Sequence, residues 1–155
     1  MLRQDGITGR CNRPAPPSAE RTFRYTDDLK WIACWRFFRW VDSALKKSRP
    51  PSNIVAFNFN LYEGPFRADL VGATSYDPMD SDWATEEAWV AKPRFFDFPP
   101  HAWGSGWQDA LAVATKLIND YLRTTSDGAT RLGQAVAVTV GFVDGDLVLA
   151  HGGTV

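Results

Sequence analysis

Apolar residues recur every three or four positions between Leu29 and Lys47, and most charged residues of this segment fall on the opposite side. This periodicity predicts an amphipathic helix with one buried face. Thr26 is the expected N-cap, because Asp27 and Asp28 follow it in the first turn, where the helix dipole favours carboxylates. Pro50 and the proline after it are expected to end the helix.

A second segment with helical periodicity runs from Trp107 to Arg123. Its apolar side chains share one face and its charged side chains lie elsewhere, so the segment predicts a second amphipathic helix. Ser105 is the expected N-cap of this helix. The polar residues 124–133 that follow are expected to form a loop.

Alternation of apolar and polar residues predicts strands in the middle of the chain. From Ile54 to Glu63 every second side chain is apolar, which is typical of a strand with one buried face and one polar face. Gly64 and Pro65 are expected to turn the chain, and residues 66–76 return as the partner strand of a hairpin. A third strand is expected over residues 87–91.

Two runs of strand-forming residues near the C-terminus, 135–143 and 146–150, are separated by Asp144 and Gly145. Asp-Gly between two such runs predicts a hairpin with a type I′ turn, whose two central residues have positive φ. This hairpin brings the expected number of strands to about five.

The predicted strands and helices do not alternate regularly along the chain, which favours an α+β fold. We expect an antiparallel sheet of about five strands with two amphipathic helices packed on one face. Residues 1–22, rich in glycine, proline and arginine, predict a flexible basic arm. Residues 23–155 are long enough for a single domain with its own core.

Composition and charge add a hint about partners. Hydrophobic residues make up 45% of the chain and aromatic residues 14%, so a globular fold is favoured over disorder. Residues 1–50 carry eleven Lys and Arg against five Asp and Glu, a net of +6, whereas residues 51–155 carry six against thirteen, a net of −7. Either the basic segment attracts the acidic body, or the body presents an acidic face to a basic protein.

Residues 77–87, here called the acidic loop, concentrate this negative charge between the second and third predicted strands. The loop contains Trp83, no Lys or Arg, and five carboxylates: Asp77, Asp80, Asp82, Glu86 and Glu87. Local pairing cannot neutralise these carboxylates, and their mutual repulsion favours a positively charged partner. The acidic loop is therefore the leading candidate for a binding surface.

Cysteine usage and the N-terminal residues bear on the compartment. Cys11 lies in the predicted arm and Cys34 in the first predicted helix, and the chain has no other cysteine. We expect neither a disulfide framework nor a zinc site from this placement, which suits a reducing cytoplasm. The sequence has no apolar run typical of a signal peptide or of a membrane span. A cytoplasmic protein is therefore predicted.

The sequence offers few groups for catalysis. His101 and His151 are the only histidines, and Ser105 near His101 is better explained as a helix cap than as a nucleophile. The acidic loop lacks the turn glycine of an EF-hand, although an irregular divalent-cation site at Asp77, Asp80, Asp82 and Glu86 stays open. We assign no catalytic residue, metal site or cofactor. A small metal-dependent hydrolase that uses the acidic loop and His101 is the alternative function.

Aromatic residues and arginines alternate between Trp35 and Trp40. Such a pattern occurs in nucleic-acid stacking platforms and in helices at membrane surfaces. Core packing of an amphipathic helix explains the aromatics without a ligand, and the acidic remainder of the chain opposes the approach of phosphates. We therefore expect neither nucleic-acid nor membrane binding.

Three segments together resemble a group of small bacterial proteins that are encoded beside toxins and assigned as immunity proteins. They are residues 57–63 (Phe-Asn-Phe-Asn-Leu-Tyr-Glu), residues 80–83 (Asp-Ser-Asp-Trp) with Glu86, and residues 140–147 (Val-Gly-Phe-Val-Asp-Gly-Asp-Leu). The resemblance covers about residues 53–150 and leaves the first helix unexplained.

The resemblance implies a non-enzymatic protein that neutralises a cognate toxin by covering its active face. Toxins that act on nucleic acids tend to be basic there, which agrees with the charge pattern. The implied partner-binding residues are the five carboxylates of the acidic loop, with Trp83 as an aromatic anchor. A structural module that self-associates through exposed aromatics is a further alternative, and homodimer formation stays open.

Overall fold

The computed structural model describes residues 25–99 and 106–153. They form three helices, α1 (Tyr25–Lys47), α2 (Trp107–Leu122) and α3 (Asp127–Gly133), together with a five-stranded sheet. The two predicted helices are confirmed, and α3 replaces part of the predicted polar loop. The predicted arm over residues 1–22 lies outside the described residues, as does His101.

The helix starts differ from the predicted caps. Helix α1 already includes Tyr25, so Thr26 lies within the helix and is not its N-cap. Gly106 occupies the N-cap position of α2 and makes no side-chain hydrogen bond there. Ser105, the expected cap, lies outside the described residues.

Helix α3 forms where the sequence predicts a polar loop. The Ser126 hydroxyl accepts a hydrogen bond from the Ala129 amide and caps the helix, and Ala129 and Leu132 are buried. Two buried apolar side chains in seven residues are too few to produce a recognisable helical period. Packing against α1 and α2 therefore stabilises a helix that the sequence pattern does not reveal.

The five strands are β1 (Ala56–Tyr62), β2 (Arg67–Ala73), β3 (Trp89–Asp97), β4 (Ala137–Phe142) and β5 (Val148–Gly152). Their order in the sheet is β3-β2-β1-β4-β5. Neighbouring strands are antiparallel except for β1 and β4, which run parallel at the centre. The α+β class and the strand number are confirmed. The sheet is not wholly antiparallel, because α2 and α3 form a crossover that brings the chain back in the same direction.

The larger hydrophobic core lies between the three helices and one face of the sheet. Phe57 and Phe59 of β1 are completely buried on this face. The ring of Phe37 in α1 lies 5.9 Å from that of Phe59 and 5.5 Å from that of Phe96 in β3, the latter edge-to-face. Core packing thus accounts for Phe37, whereas Trp35 on the same helix is half-exposed.

A smaller group of apolar residues, here called the second cluster, covers part of the opposite face. It joins Ala56 of β1 and Ala73 of β2 to Trp83 and Ala84 of the acidic loop. Asn58 is also buried, so the predicted polar face of β1 is not solvent-exposed at this position. Because the acidic loop folds back onto the sheet, the second face of β1 is covered at Ala56.

The β4–β5 hairpin is confirmed, but its turn is not of type I′. Neither Asp144 nor Gly145 has positive φ, and the Gly145 amide donates a hydrogen bond to the Phe142 carbonyl at 2.9 Å. A Cβ at Gly141 would lie 2.6 Å from the Asp146 carbonyl oxygen. The turn therefore needs glycine at position 141, because the returning chain passes close to it, and does not need a left-handed backbone at position 145.

Two observations bear on the compartment. Cys34 is buried in α1 and is disulfide-bonded, so the expectation of no disulfide is wrong. No helix within the described part of the chain combines the length and apolar character needed to cross a membrane. The cytoplasmic location stays a prediction.

Candidate functional site

The acidic loop joins β2 to β3 and contains one turn of 3₁₀-helix at Ser81–Thr85. Trp83 points toward the sheet: it is 8% exposed, and its ring lies 5.0 Å from that of Tyr76 in an edge-to-face contact. With Ala56 and Ala73 in the same cluster, Trp83 attaches the loop to the sheet. The indole is therefore not presented to a partner as the exposed anchor that the sequence analysis expects.

Three of the carboxylates also help to shape the loop. Asp77 accepts a hydrogen bond from the backbone amide two residues later at 2.8 Å, and Asp80 does the same at 3.0 Å at the start of the 3₁₀ turn. Glu86 accepts hydrogen bonds from the hydroxyl of Thr74 at 2.7 Å and from its amide at 3.3 Å. These donors are neutral, so they hold the carboxylates in place without cancelling their charge.

Glu87 differs from the other four carboxylates because it forms an ion pair. Its Oε1 lies 2.6 Å from Arg94 Nη2, and Arg94 Nε lies 2.9 Å from Asp69 Oδ2. Hydrogen bonds to Glu87, and then to Asp69, raise the pKa of Arg94. The guanidinium therefore stays charged and is shared between Glu87 and Asp69.

The other four carboxylates have no cation beside them among the side chains that the structure describes. Among the described side chains, no Lys or Arg forms an ion pair with Asp77, Asp80, Asp82 or Glu86. The three aspartates are exposed and Glu86 is half-buried. The described side chains of α1 form no ion pair with the loop, so internal attraction to this basic helix does not compensate the charge.

Met79 is the apolar side chain that the acidic loop does expose. It is 90% exposed and lies between Asp77 and Asp80 in the sequence. A single methionine in a polar stretch carries no periodic signal, so the sequence does not indicate Met79 as the exposed apolar residue of the loop. The flexible, polarizable thioether adapts to irregular partner surfaces.

A second acidic segment reaches the same face of the sheet. Leu147 packs against the second cluster, and the exposed residues Asp144 and Asp146 precede it. Neither aspartate forms an ion pair within the described part of the chain. The β4–β5 turn is therefore a second acidic segment, which lies at the Leu61 end of β1, whereas the acidic loop lies at the Ala56 end.

A buried polar network lies on this face of the sheet. Asp69 of β2 is completely buried and accepts hydrogen bonds from Asn60 Nδ2 at 2.9 Å, from Tyr62 OH at 3.0 Å and from Arg94 Nε at 2.9 Å. Burial and the neighbouring Asp69 raise the pKa of the Tyr62 hydroxyl, which therefore remains a donor. The network positions Arg94, and the ion pair to Glu87 follows from that position.

Groups for metal binding do not converge in the described residues. Within 25–99 and 106–153, no group of three or more His, Cys, Asp or Glu side chains is arranged to hold a metal ion. The four loop carboxylates considered for an irregular divalent-cation site therefore do not form such a group. His101, which the hydrolase alternative needs, lies outside the described residues.

Comparisons of the chain with protein-family models, with curated proteins and with solved structures give no match. The resemblance to immunity proteins therefore stays a prediction.

Proposed function

We propose that this chain is a non-enzymatic inhibitor of the immunity type, which binds a cognate basic toxin through its acidic loop. The observation that carries the proposal is the set of four loop carboxylates without a cation partner among the described side chains. The loop that holds them is attached to the sheet by Trp83. An anchored loop with uncompensated charge suits recognition of a basic protein.

Two physical effects favour binding by such a loop. Four like charges attract a cationic partner over roughly 8 Å at physiological ionic strength, and so raise the association rate. A loop already held by internal hydrogen bonds and by Trp83 loses little conformational freedom on binding, which favours affinity.

The proposed contact residues are Asp77, Asp80, Asp82 and Glu86, with Met79 as the apolar contact. Trp83 contributes by positioning the loop, because it is buried. Glu87 contributes less than the other carboxylates, because it already forms an ion pair with Arg94.

The test measures binding kinetics between the full chain and the protein encoded by the neighbouring gene. Replacement of Asp77, Asp80 and Asp82 by Asn removes three charges, while the amide oxygens still accept the hydrogen bonds that shape the loop. We expect the association rate constant to fall by about tenfold or more at low salt, and its dependence on salt to weaken.

Asp127→Asn is the matched control, because it removes an exposed carboxylate from the first turn of α3, among the helices. We expect this variant to associate at the unaltered rate. Equal rates for the triple variant and the original chain would remove the acidic loop from the interface. A neighbouring basic protein that the original chain does not bind would contradict the immunity proposal itself. Light scattering over a concentration series checks the open question of a homodimer.

A further inference from the structure

A groove, here called the α2 groove, lies where the first turns of α2 meet the ends of the two parallel strands and the β4–β5 turn. Its main depression has a volume of about 870 Å³. The floor is apolar and is formed by six side chains: Leu61, Trp107, Leu111, Phe142, Val143 and Val148. None of these residues belongs to the acidic loop, so the groove is a separate feature of the surface.

Two large apolar side chains in this groove are unusually exposed. Trp107 is 50% exposed and Val143 is 52% exposed. The Trp107 ring lies 6.3 Å from the Phe142 ring and perpendicular to it, which leaves much of the indole open. Adjoining exposed apolar residues within a concave surface mark an interaction site more often than isolated ones do.

The charge around the main depression has a single sign. Glu63, Asp144 and Asp146 line this depression, and no Lys or Arg does. None of the three carboxylates forms an ion pair within the described part of the chain. A cleft lined by one sign of charge over apolar walls focuses the field and attracts cations. The exposed face of Trp107 also favours a nearby ammonium or guanidinium group.

The groove is elongated. A second depression of about 580 Å³ shares Trp107, Leu111 and Val148 with the first and continues along α2, where Lys116, Asp120 and Arg123 line it. Helix α2 has 16 residues, so the groove follows an element roughly 24 Å long. This length suits a segment of polypeptide laid along the groove better than a single ion or side chain.

The acidic mouth of the groove is separate from the acidic loop. Asp144 and Asp146 follow β4 at the Leu61 end of β1, whereas the acidic loop follows β2 at the Ala56 end. An occupant of the groove therefore contacts a second surface, at the other end of the sheet.

We infer that the α2 groove takes a basic segment of a partner protein, in which Lys or Arg side chains meet Glu63, Asp144 and Asp146 and a large apolar side chain packs against Trp107. The chemistry of the segment follows from the groove alone, because negative charge and an apolar floor together select a cationic amphipathic chain.

The test uses the full chain with the photo-reactive residue p-benzoylphenylalanine in place of Val143, an exposed position in the groove. The probe is a short synthetic peptide rich in arginine and leucine, and its matched control has glutamate in place of each arginine. We expect the arginine peptide to cross-link at position 143 and the glutamate peptide not to. Asp144→Asn with Asp146→Asn should weaken binding of the arginine peptide by about tenfold.

The matched variant Asp97→Asn with Asp127→Asn removes the same charge from exposed positions outside the groove and outside the acidic loop, and should leave peptide binding unchanged. Equal weakening by both variants would overturn the inference, since it would indicate general attraction to an acidic surface. Cross-linking of position 143 to residues of the same chain, or to a second copy, in the presence of the peptide would also overturn it, because the groove would then have another occupant.

The peptide result and the toxin result separate the two claims. Peptide binding at position 143 is measured without the toxin, so it can succeed or fail whatever the neighbouring gene product does. If the loop variants lose the toxin but the peptide does not cross-link, only the groove inference fails. If the peptide cross-links but the loop variants keep the toxin, the loop proposal fails and the chemistry of the groove stands.

Discussion

Asp69 is a single carboxylate in an otherwise apolar stretch of β2, and it is completely buried. Three donors, from Asn60, Tyr62 and Arg94, point at its two oxygens. A buried charge is tolerated only when it is paired and hydrogen-bonded, and this environment satisfies both conditions. The sequence signal of this network is the alternation of Asn58 and Asn60 with apolar residues in β1. The same alternation is equally typical of a strand with one solvent-exposed face.

Asp69→Asn should be strongly destabilising, because it leaves Arg94 without one of its two carboxylates and places an amide donor opposite other donors. We expect the free energy of unfolding to fall by about 3 kcal/mol or more, measured by urea denaturation. Asp97→Asn is the matched control: its side chain is 63% exposed in an ion pair with Arg67, so the loss should be about 1 kcal/mol or less. Similar losses for both variants would contradict a structural role for the network.

Tyr121 links α2 to α1, because its hydroxyl donates a hydrogen bond to Asp42 Oδ1 at 2.5 Å. Burial, and then the hydrogen bond to Asp42, raise the pKa of this hydroxyl above its usual range. At neutral pH, Tyr121→Phe should lower the free energy of unfolding by about 2 kcal/mol, since it removes a buried hydrogen bond to a charged group.

The cost of Tyr121→Phe should shrink at high pH. In the unfolded chain the Tyr121 hydroxyl releases its proton near pH 10, whereas in the folded chain the hydroxyl keeps this proton. The folded state therefore binds more protons, and the free energy of unfolding falls as pH rises. The stabilisation by the Tyr121 hydroxyl is fully present below about pH 10. Above this pH it decreases by up to about 1.4 kcal/mol per pH unit. Urea denaturation of both proteins between pH 8 and about pH 11 checks this; a constant difference would contradict the raised pKa.

At the scale of elements, the β4–β5 turn depends on the space that Gly141 leaves. A Cβ there would meet the Asp146 carbonyl oxygen at 2.6 Å, whereas a Cβ at Gly145 would find its nearest atom, the Phe142 carbonyl oxygen, at 3.6 Å. Gly141→Ala should therefore cost about 1–3 kcal/mol of unfolding free energy, and Gly145→Ala less than about 0.5 kcal/mol. The reverse order would indicate that backbone conformation at Gly145, and not close packing at Gly141, controls the turn.

The acidic loop is an element whose order depends on one side chain. Trp83→Ala should lower the free energy of unfolding by about 3 kcal/mol, and it should speed amide exchange most over residues 77–87, because the loop loses its attachment to the sheet. Met79→Ala is the control in the same loop, since Met79 is 90% exposed and should change neither quantity. Hydrogen exchange followed by mass spectrometry gives both results. Unchanged exchange in the Trp83 variant would mean that other contacts hold the loop.

At the scale of the whole molecule, one continuous core joins all three helices to the sheet. Two indole hydrogen bonds reinforce the contact between α1 and β3: Trp40 Nε1 donates to the Pro93 carbonyl at 2.9 Å, and Trp89 Nε1 donates to the Ser48 carbonyl. No helix packs on a core of its own, so the described part of the chain is expected to unfold as one unit.

Urea unfolding should therefore be a single cooperative transition. Far-ultraviolet circular dichroism reports the helices and strands, and tryptophan fluorescence reports indoles that lie in both the helices and the sheet. We expect the two signals to give the same midpoint. Separate midpoints would contradict the prediction of a single domain over residues 23–155.

Local periodicity predicted the elements whose two sides differ strongly. Helices α1 and α2 and the strand β1 each repeat an apolar position several times, so each pattern indicates one apolar side, whereas β4 was predicted from its strand-forming residues and is buried on both sides. Helix α3 has only Ala129 and Leu132 on its buried side, and the parallel pairing of β1 with β4 depends on a crossover, so neither leaves a local trace. The missed features are thus the short elements and the non-local pairings.

The chain's sequence by itself determined the α+β class, the two long helices, the two hairpins and the concentration of carboxylates in residues 77–87. Only the tertiary structure decided that Trp83 is buried while Met79 is exposed, that Arg94 pairs with Glu87 and with the buried Asp69, and that Asp144 and Asp146 border an apolar groove. The physical reason is that periodicity reports the environment averaged along an element, whereas burial and charge pairing depend on which distant segment covers each side chain.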